Sequence, residues 1–368
     1  MSSTPEVEST VPSGERDALS EADDGKMELT VCSVAYRSQE LLDLNYELAR
    51  RLNPSRRTGR WVVVDNTPSD EPGRISKSDP RFERLLGVKR PQVEDGQASL
   101  QHGKALNRAV EAVKTRFLLI IDPDFFVIRP NWIQAVLDHM KRSGLAFLGA
   151  PWHPRWYRKW RYFPCAHCLF IDLDRIDRNA LDFTPDLPHQ PVPYFSQFLA
   201  ELEWMFSRGE RFRAVCLAIR HWRLTLQEDR RRRLVIGSTR DTGIALYEKF
   251  TSMPGIRFET LTPVYLPYRD RLVPPPDVRI DTRSAIREAI ERFRPDWLSF
   301  IPKRRGAYSK RRFASFALPD LHGRGWEEFL WRGRPFGFHV RNTLRAMQDT
   351  EVREIEIREV VEKVASAT

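Results

Sequence analysis

The chain has 368 residues, 41% of them hydrophobic and 30% charged, with Lys+Arg 60 against Asp+Glu 50. That is globular composition with ample core material, long enough for about two domains, and it excludes disordered, fibrous and membrane-spanning classes. Charge is uneven: residues 1–26 hold seven acids and two bases, so +15 of a chain whose total is +10 lies beyond them. A basic body suits an anionic partner. Four cysteines are too few for a disulfide scaffold and fit a reducing compartment. With no apolar run of about 18 residues and no signal-peptide pattern at the N-terminus, the expected location is cytoplasmic.

Residues 1–26 have almost nothing to bury and are expected to be a disordered acidic tail. ELTVCSVAY (28–36), RWVVVDN (60–66), a weak segment around Leu85–Val88 and RFLLIIDPD (116–124) read as strands, the last the clearest. Continuous apolar runs of this length mark strands buried on both faces, as in a parallel sheet. Between them, 38–52 repeats Leu41, Leu44, Leu48 and Leu52 with Ser38 as candidate N-cap. Residues 99–113 set Leu106, Ala109, Val110 and Val113 on one face, and Asn131 is placed to cap the helix that follows it. This alternation predicts an α/β layered fold with a mostly parallel sheet flanked by helices.

Beyond residue 150, PWHPRWYRKWRYFP (151–164) reads as an aromatic, basic loop and CLFIDLDRI (168–176) as a strand. Residues 194–234 read as helical and amphipathic. A short helix is expected near Thr239–Asp241, a strand at 258–268, a stiff turn at 272–276, and one or two helices with basic loops over 277–368.

Acids gather where two strands end: Asp65 after WVVV, and Asp122 and Asp124 after FLLII. In an open α/β sheet, ligands bind outside the carboxyl ends of the strands. Two carboxylates leaving a buried strand need positive compensation, which a hard divalent cation bridged to a diphosphate supplies. The plainer alternative is a turn-capping Asp122 and a solvated Asp124.

VCSVAYRS (31–38), VVVDNTPSD (62–70), GKALNRAV (103–110) and LLIIDPDFF (118–126), in this order over roughly residues 29–250, resemble the glycosyltransferase family 2-like group of GT-A glycosyltransferases. The resemblance implies a nucleotide-diphospho-sugar transferase fold. Residues 27–270 would form the catalytic domain, split near 150 into a nucleotide-sugar half and an acceptor half, with 271–368 as a C-terminal extension. It further implies that Asp65 reads the nucleobase, that Asp122 lies near the ribose or diphosphate, and that Asp124, with Asp122, binds Mn²⁺ or Mg²⁺. Backbone and side chains near Ser33, Ala35 and Tyr36 would line the base pocket, with Tyr36 offering stacking. Lys104 and Asn107 would face the donor, although an ordinary solvated helix face explains them as well. Asp241 in STRDTGIALYEKF (238–250) stands where the family's catalytic base is expected, but Arg240 replaces the usual first acid. Helix capping is the alternative for Asp241, and Glu201 and Glu203 are alternative bases. His339 stands where a late metal-binding histidine is recruited, with a structural histidine as the alternative. The implied activity is transfer of a sugar, with inversion, to the hydroxyl of a glycan, lipid-linked or small-molecule acceptor.

Cys165 and Cys168 have CxxC spacing, but a structural zinc site needs four ligands and no second pair follows, which favours packing. The basic stretches 152–162 and 205–233 suit peripheral contact with an anionic membrane at its inner face, or simple solvation. A nucleotidyltransferase would want a glycine-rich loop where VCSVAYRS has no glycine. A nucleic-acid-binding protein would account for KRRGAYSKRR (303–312) but not for acids at two strand ends, which repel phosphates.

Overall fold

The computed structural model describes residues 28–54, 60–68, 74–76, 78–87, 98–154, 162–185, 241–266, 308–324, 326–340 and 350–367. The expectations for 1–26, for the helix of 194–234 with Glu201 and Glu203, for 272–276, and for parts of 152–162 and 303–312 lie outside the described residues.

The apolar runs become the strands of one seven-stranded sheet. In chain order come β1 (Leu29–Ala35), α1 (Gln39–Leu52), β2 (Arg60–Asp65), β3 (Phe82–Leu86), α2 (Ala98–Glu111) and β4 (Phe117–Ile121). There follow β5 (Phe125–Val127), α3 (Trp132–Ser143), β6 (Phe147–Gly149), β7 (Cys168–Asp172), α4 (Ile244–Ser252), β8 (Phe258–Thr260) and β9 (Thr262–Pro263). The large sheet has the order β3-β2-β1-β4-β7-β6-β8, with β7 alone running against the rest. This is the mostly parallel, helix-flanked sheet that the sequence predicts.

Strand alternation divides the core in two. Leu29, Val31, Ala35, Phe117, Leu119 and Ile121 join one cluster with α1 and α3, while Cys32, Val62, Val64, Leu118 and Ile120 join another with α2 and α4. Each strand is therefore buried on both faces, which is why its sequence reads as an unbroken apolar run.

The C-terminal region departs from the expected helices and loops. Residues Glu327–Trp331 (β10) and Arg334–His339 (β11) form a hairpin, followed by α5 (Thr350–Ser366). Arg332 (φ 53°) and Gly333 (φ 73°) are its two turn residues, both left-handed as a tight two-residue hairpin turn requires. The hairpin joins β5 and β9 in a second, antiparallel sheet of order β5-β11-β10-β9, packed in the same cluster as α1, α3 and α5.

Two helix starts also differ from expectation. Ser38 makes no side-chain cap bond; its Oγ accepts from Tyr36 N at 3.1 Å. Asn131 adopts φ 52° without a side-chain cap bond, and the second amide of α3, Ile133 N, donates to Asn53 Oδ1 at 3.0 Å instead. Asparagine tolerates the left-handed region, and the orphan amide needs only a nearby acceptor. Among the described residues no helix is long and apolar enough to cross a membrane.

Candidate functional site

Because β1, β2 and β4 are parallel, their carboxyl ends share one edge of the sheet, and the sequence places Tyr36, Asp65 and Asp122 there. Beyond β4 the backbone turns, Phe125 N donating to Asp122 O at 3.0 Å, and β5 carries the chain into the second sheet. Asn45 of α1, buried among leucines, donates from Nδ2 to Pro123 O at 3.2 Å and to Phe125 O at 2.8 Å, fixing that turn from below.

Pairing of β5 with β11 sets Phe125 opposite His339, and Val340 N donates to Asp124 O at 2.9 Å. His339 Nε2 then lies 3.0 Å from Asp124 Oδ1. Asp122, Asp124 and His339 each offer a ligand atom, all within 4.8 Å of one another. Two carboxylates and an imidazole, partly open to solvent, suit a Mg²⁺- or Mn²⁺-like ion that completes its shell with phosphate oxygens and water. The donor set fits the cation that the sequence implies. Cys165 and Cys168 are buried thiols outside this cluster; burial pushes the Cys168 thiol well up, so neither packing nor charge readies it as a ligand.

The surroundings of the cluster come from four further segments. His167 O accepts from Asp122 N at 3.1 Å, and the His167 ring stacks on His339 with centroids 4.8 Å apart, 27° between planes. Trp152 packs edge-on against His167. His102 of α2 sits 3.6 Å from Asp122 Oδ1 and 3.3 Å from Thr242 Oγ1, which brings the 241–243 turn to the site. Asp241, 2% exposed, lies in that turn; Gly243, in the left-handed region at φ 83°, is the residue that caps α4.

Other expected residues are placed differently. Ser33 Oγ donates to Ile121 O at 2.7 Å and Ala35 is wholly buried, so neither side chain lines an open pocket; both hold β1 against its neighbours. Tyr36, half-buried with Arg37 over its ring, is the member of that trio that reaches the edge. Asp65 is buried and accepts from Thr67 N, Ile75 N and Arg84 Nε, with Arg74 Nε 3.6 Å away. Its carboxylate thus ties the loop after β2 to β3. Asn107 joins α2 to the segment after β7: Nδ2 donates to Asp182 Oδ1 at 2.8 Å and Oδ1 accepts from Phe183 N at 2.9 Å. Lys104 is exposed on α2.

Asn45, His102, His167 and Glu327 belong to the site's surroundings without standing in any of the four sequence blocks as candidate site residues. Asn45 had a signal, a polar residue on the Leu41–Leu48 stripe of α1; His102 sits directly before the quoted GKALN motif.

The molecule is thus a layered α/β protein with an acid–acid–histidine cluster at the carboxyl edge of its sheet. No protein-family model and no curated protein matches the chain. Among solved structures it is similar to a mannosyltransferase from Pyrobaculum calidifontis in complex with GDP-Man and Mn²⁺, at 15% identity over 42% of this chain and 49% of that one, TM-score 0.29. It is also similar to residues 1–349 of TarS from S. aureus (13%, 47% and 53%, TM-score 0.28). A third is glucosyl-3-phosphoglycerate synthase from Mycobacterium tuberculosis in complex with phosphoglyceric acid (14%, 50% and 66%, TM-score 0.30). The chain spans about half the length of the first two of these structures.

Proposed function

We propose that the protein is a metal-dependent glycosyltransferase that moves a sugar from a nucleotide-sugar donor to an acceptor hydroxyl, with inversion at the anomeric carbon. One observation carries this reading above the others. Asp122, Asp124 and His339 converge, within 4.8 Å of one another, where the parallel strands β1, β2 and β4 end and ligands of open α/β sheets bind.

In this reading Asp122, Asp124 and His339 hold Mn²⁺ or Mg²⁺, which when bound neutralises the charge of the departing diphosphate. Tyr36 offers a stacking face for the base. Asp65 holds the bordering loop in place through Thr67, Ile75 and the two arginines. The first turns of α2 lie at the same edge, where His102 is 3.6 Å from Asp122, and Lys104 adds a positive charge on that helix. Asp241 takes the acceptor's proton as the acceptor oxygen bonds to the anomeric carbon and the carbon–oxygen bond to the diphosphate breaks. Its burial beside α2 suits a base that must work away from bulk water.

The test is thermal stabilisation by UDP, GDP or dTDP and their sugar conjugates, with Mn²⁺ or with EDTA. Ligand at 100 times its dissociation constant adds about 2.7 kcal/mol. Stabilisation is expected with Mn²⁺ alone among the two conditions, and Asp124→Asn is expected to abolish it. Equal stabilisation in EDTA, or an Asp124→Asn protein that keeps full metal-dependent sugar transfer, would sink the assignment.

A further inference from the structure

Glu327 has no role in the reading above, yet it is a fully buried acid beside the cluster. Glu327 and Glu328 are adjacent on β10 and both fully enclosed, but strand alternation sends them to opposite faces. Glu328 has ample structural employment: it accepts from the backbone amides of Phe313, Leu321 and His322 and so organises residues 309–324. Glu327 points the other way. The β10–β11 register sets it directly opposite His339, and its Oε2 lies 3.4 Å from His339 Nδ1.

The imidazole of His339 is therefore held between two carboxylates, Glu327 at Nδ1 and Asp124 at Nε2. Its faces are covered too, by the stacked His167 ring at 4.8 Å and by Phe125 at 5.8 Å, so the ring has little freedom to turn. A carboxylate with no exposure is costly unless a donor faces it. Glu327 Oε2, 3.4 Å from Nδ1, is placed to face a proton on that nitrogen. Nε2 and Asp124 Oδ1 are within hydrogen-bond distance at 3.0 Å, so a proton on Nε2 would be donated to Asp124. Binding a cation through Nε2 instead requires the lone pair there and the single proton of the neutral ring on Nδ1, the nitrogen that Glu327 faces.

We propose that Glu327 is a positioning residue for the metal centre: it fixes the Nδ1–H tautomer and the ring orientation of His339, so that Nε2 is presented to the cation held by Asp122 and Asp124. The proposal rests on the metal-binding reading given above and assigns a role to a residue that touches neither metal nor substrate.

The measurement is Mn²⁺ affinity of the full chain without nucleotide, read from the paramagnetic resonance signal of free Mn²⁺, with melting curves of each variant alongside. Removing the partner of a metal-binding histidine typically weakens metal affinity about 10- to 100-fold, and Glu327→Ala is expected to fall in that range. Glu327→Gln is near-isosteric and keeps an acceptor for Nδ1–H while losing the charge, so it should fold and show a smaller loss. It carries the test should the alanine variant fail to fold. In a His339→Gln background, Glu327→Gln should change Mn²⁺ affinity no further, because its effect runs through the ring. If wild type binds Mn²⁺ and folded Glu327 variants bind it within about two-fold of wild type, the inference falls while the metal centre stands. Equal losses with and without His339 would overturn it as well, by making Glu327 a general support of the hairpin. Should wild type fail to bind Mn²⁺, both the inference and the proposed function fall together.

Discussion

Replacing Asn45 by leucine sets two physical arguments against each other. Judged on α1 alone, Asn45→Leu improves the protein: it completes the Leu41, Leu44, Leu48 stripe and raises helix propensity by up to about 0.7 kcal/mol. Judged on the site, it removes the donor that serves Pro123 O and Phe125 O, two carbonyls of the turn that presents Asp122 and Asp124. Leaving a buried acceptor without its donor costs about 1–3 kcal/mol, so two such losses outweigh the propensity gain, for a net cost of at least about 1.3 kcal/mol. For a domain of this size that lowers Tm by at least roughly 3 °C. Melting of wild type and variant by circular dichroism, with and without Mn²⁺ and nucleoside diphosphate, reads both consequences. The variant should melt lower, and its stabilisation by metal plus nucleotide should shrink because the carboxylates are no longer held. An Asn45→Leu protein that melts at or above wild type would show that α1 does not support the turn.

Gly103→Ala makes a similar contest in α2. Alanine gains about 1 kcal/mol of helix propensity, but its Cβ would lie 2.5 Å from Phe183 O and 2.8 Å from the Phe183 carbonyl carbon. These are backbone atoms, so α2 must shift; urea unfolding should show destabilisation, and a stabilised variant would refute the close approach. Burial opposes ionisation of Asp182, but hydrogen bonds from Thr184 and Asn107 outweigh it and hold the carboxyl below its usual range. A depressed folded value means that the contribution is present above the unfolded value of 3.8 and lost as pH falls through the folded one. Wild type should therefore lose more of its urea midpoint between pH 6 and pH 3 than Asp182→Asn does; parallel curves would contradict this.

What could be read from the sequence was what lies close together along it. FLLIIDPD declares a buried strand and the acids at its end within eight residues, and the position of Asp122 follows from the parallel sheet. Asn45 was legible in principle as the odd polar residue in an apolar stripe. The hairpin left a weaker trace: Arg332-Gly333 between EEFLW and RPFGF is a turn signal, but arginine is not the residue usually expected at a left-handed position. Glu327 and His167 had no local signature at all. Their places arise from β10 and β5 both pairing with β11 and from the antiparallel entry into β7, none of which periodicity encodes. Ser33 and Asn107 show what motif position leaves out. Motif position placed them near a ligand, whereas their hydrogen bonds to Ile121 and to Asp182 and Phe183 show side chains spent on joining elements.

The strand that follows the acids has a consequence for the newly made chain. Among the described residues β5 pairs with β11 alone, and Asp124 meets a histidine 215 positions further along. At about 5–20 residues per second, a ribosome needs roughly 10–40 s to cover that interval. Throughout it, the large sheet can assemble while Phe125, Phe126 and Val127 wait as a short, wholly apolar edge with no strand beside it, the kind of edge that recruits other chains. The same pairing that brings His339 to Asp124 thus closes an apolar edge of the nascent protein, so damage to the hairpin should surface as aggregation during synthesis.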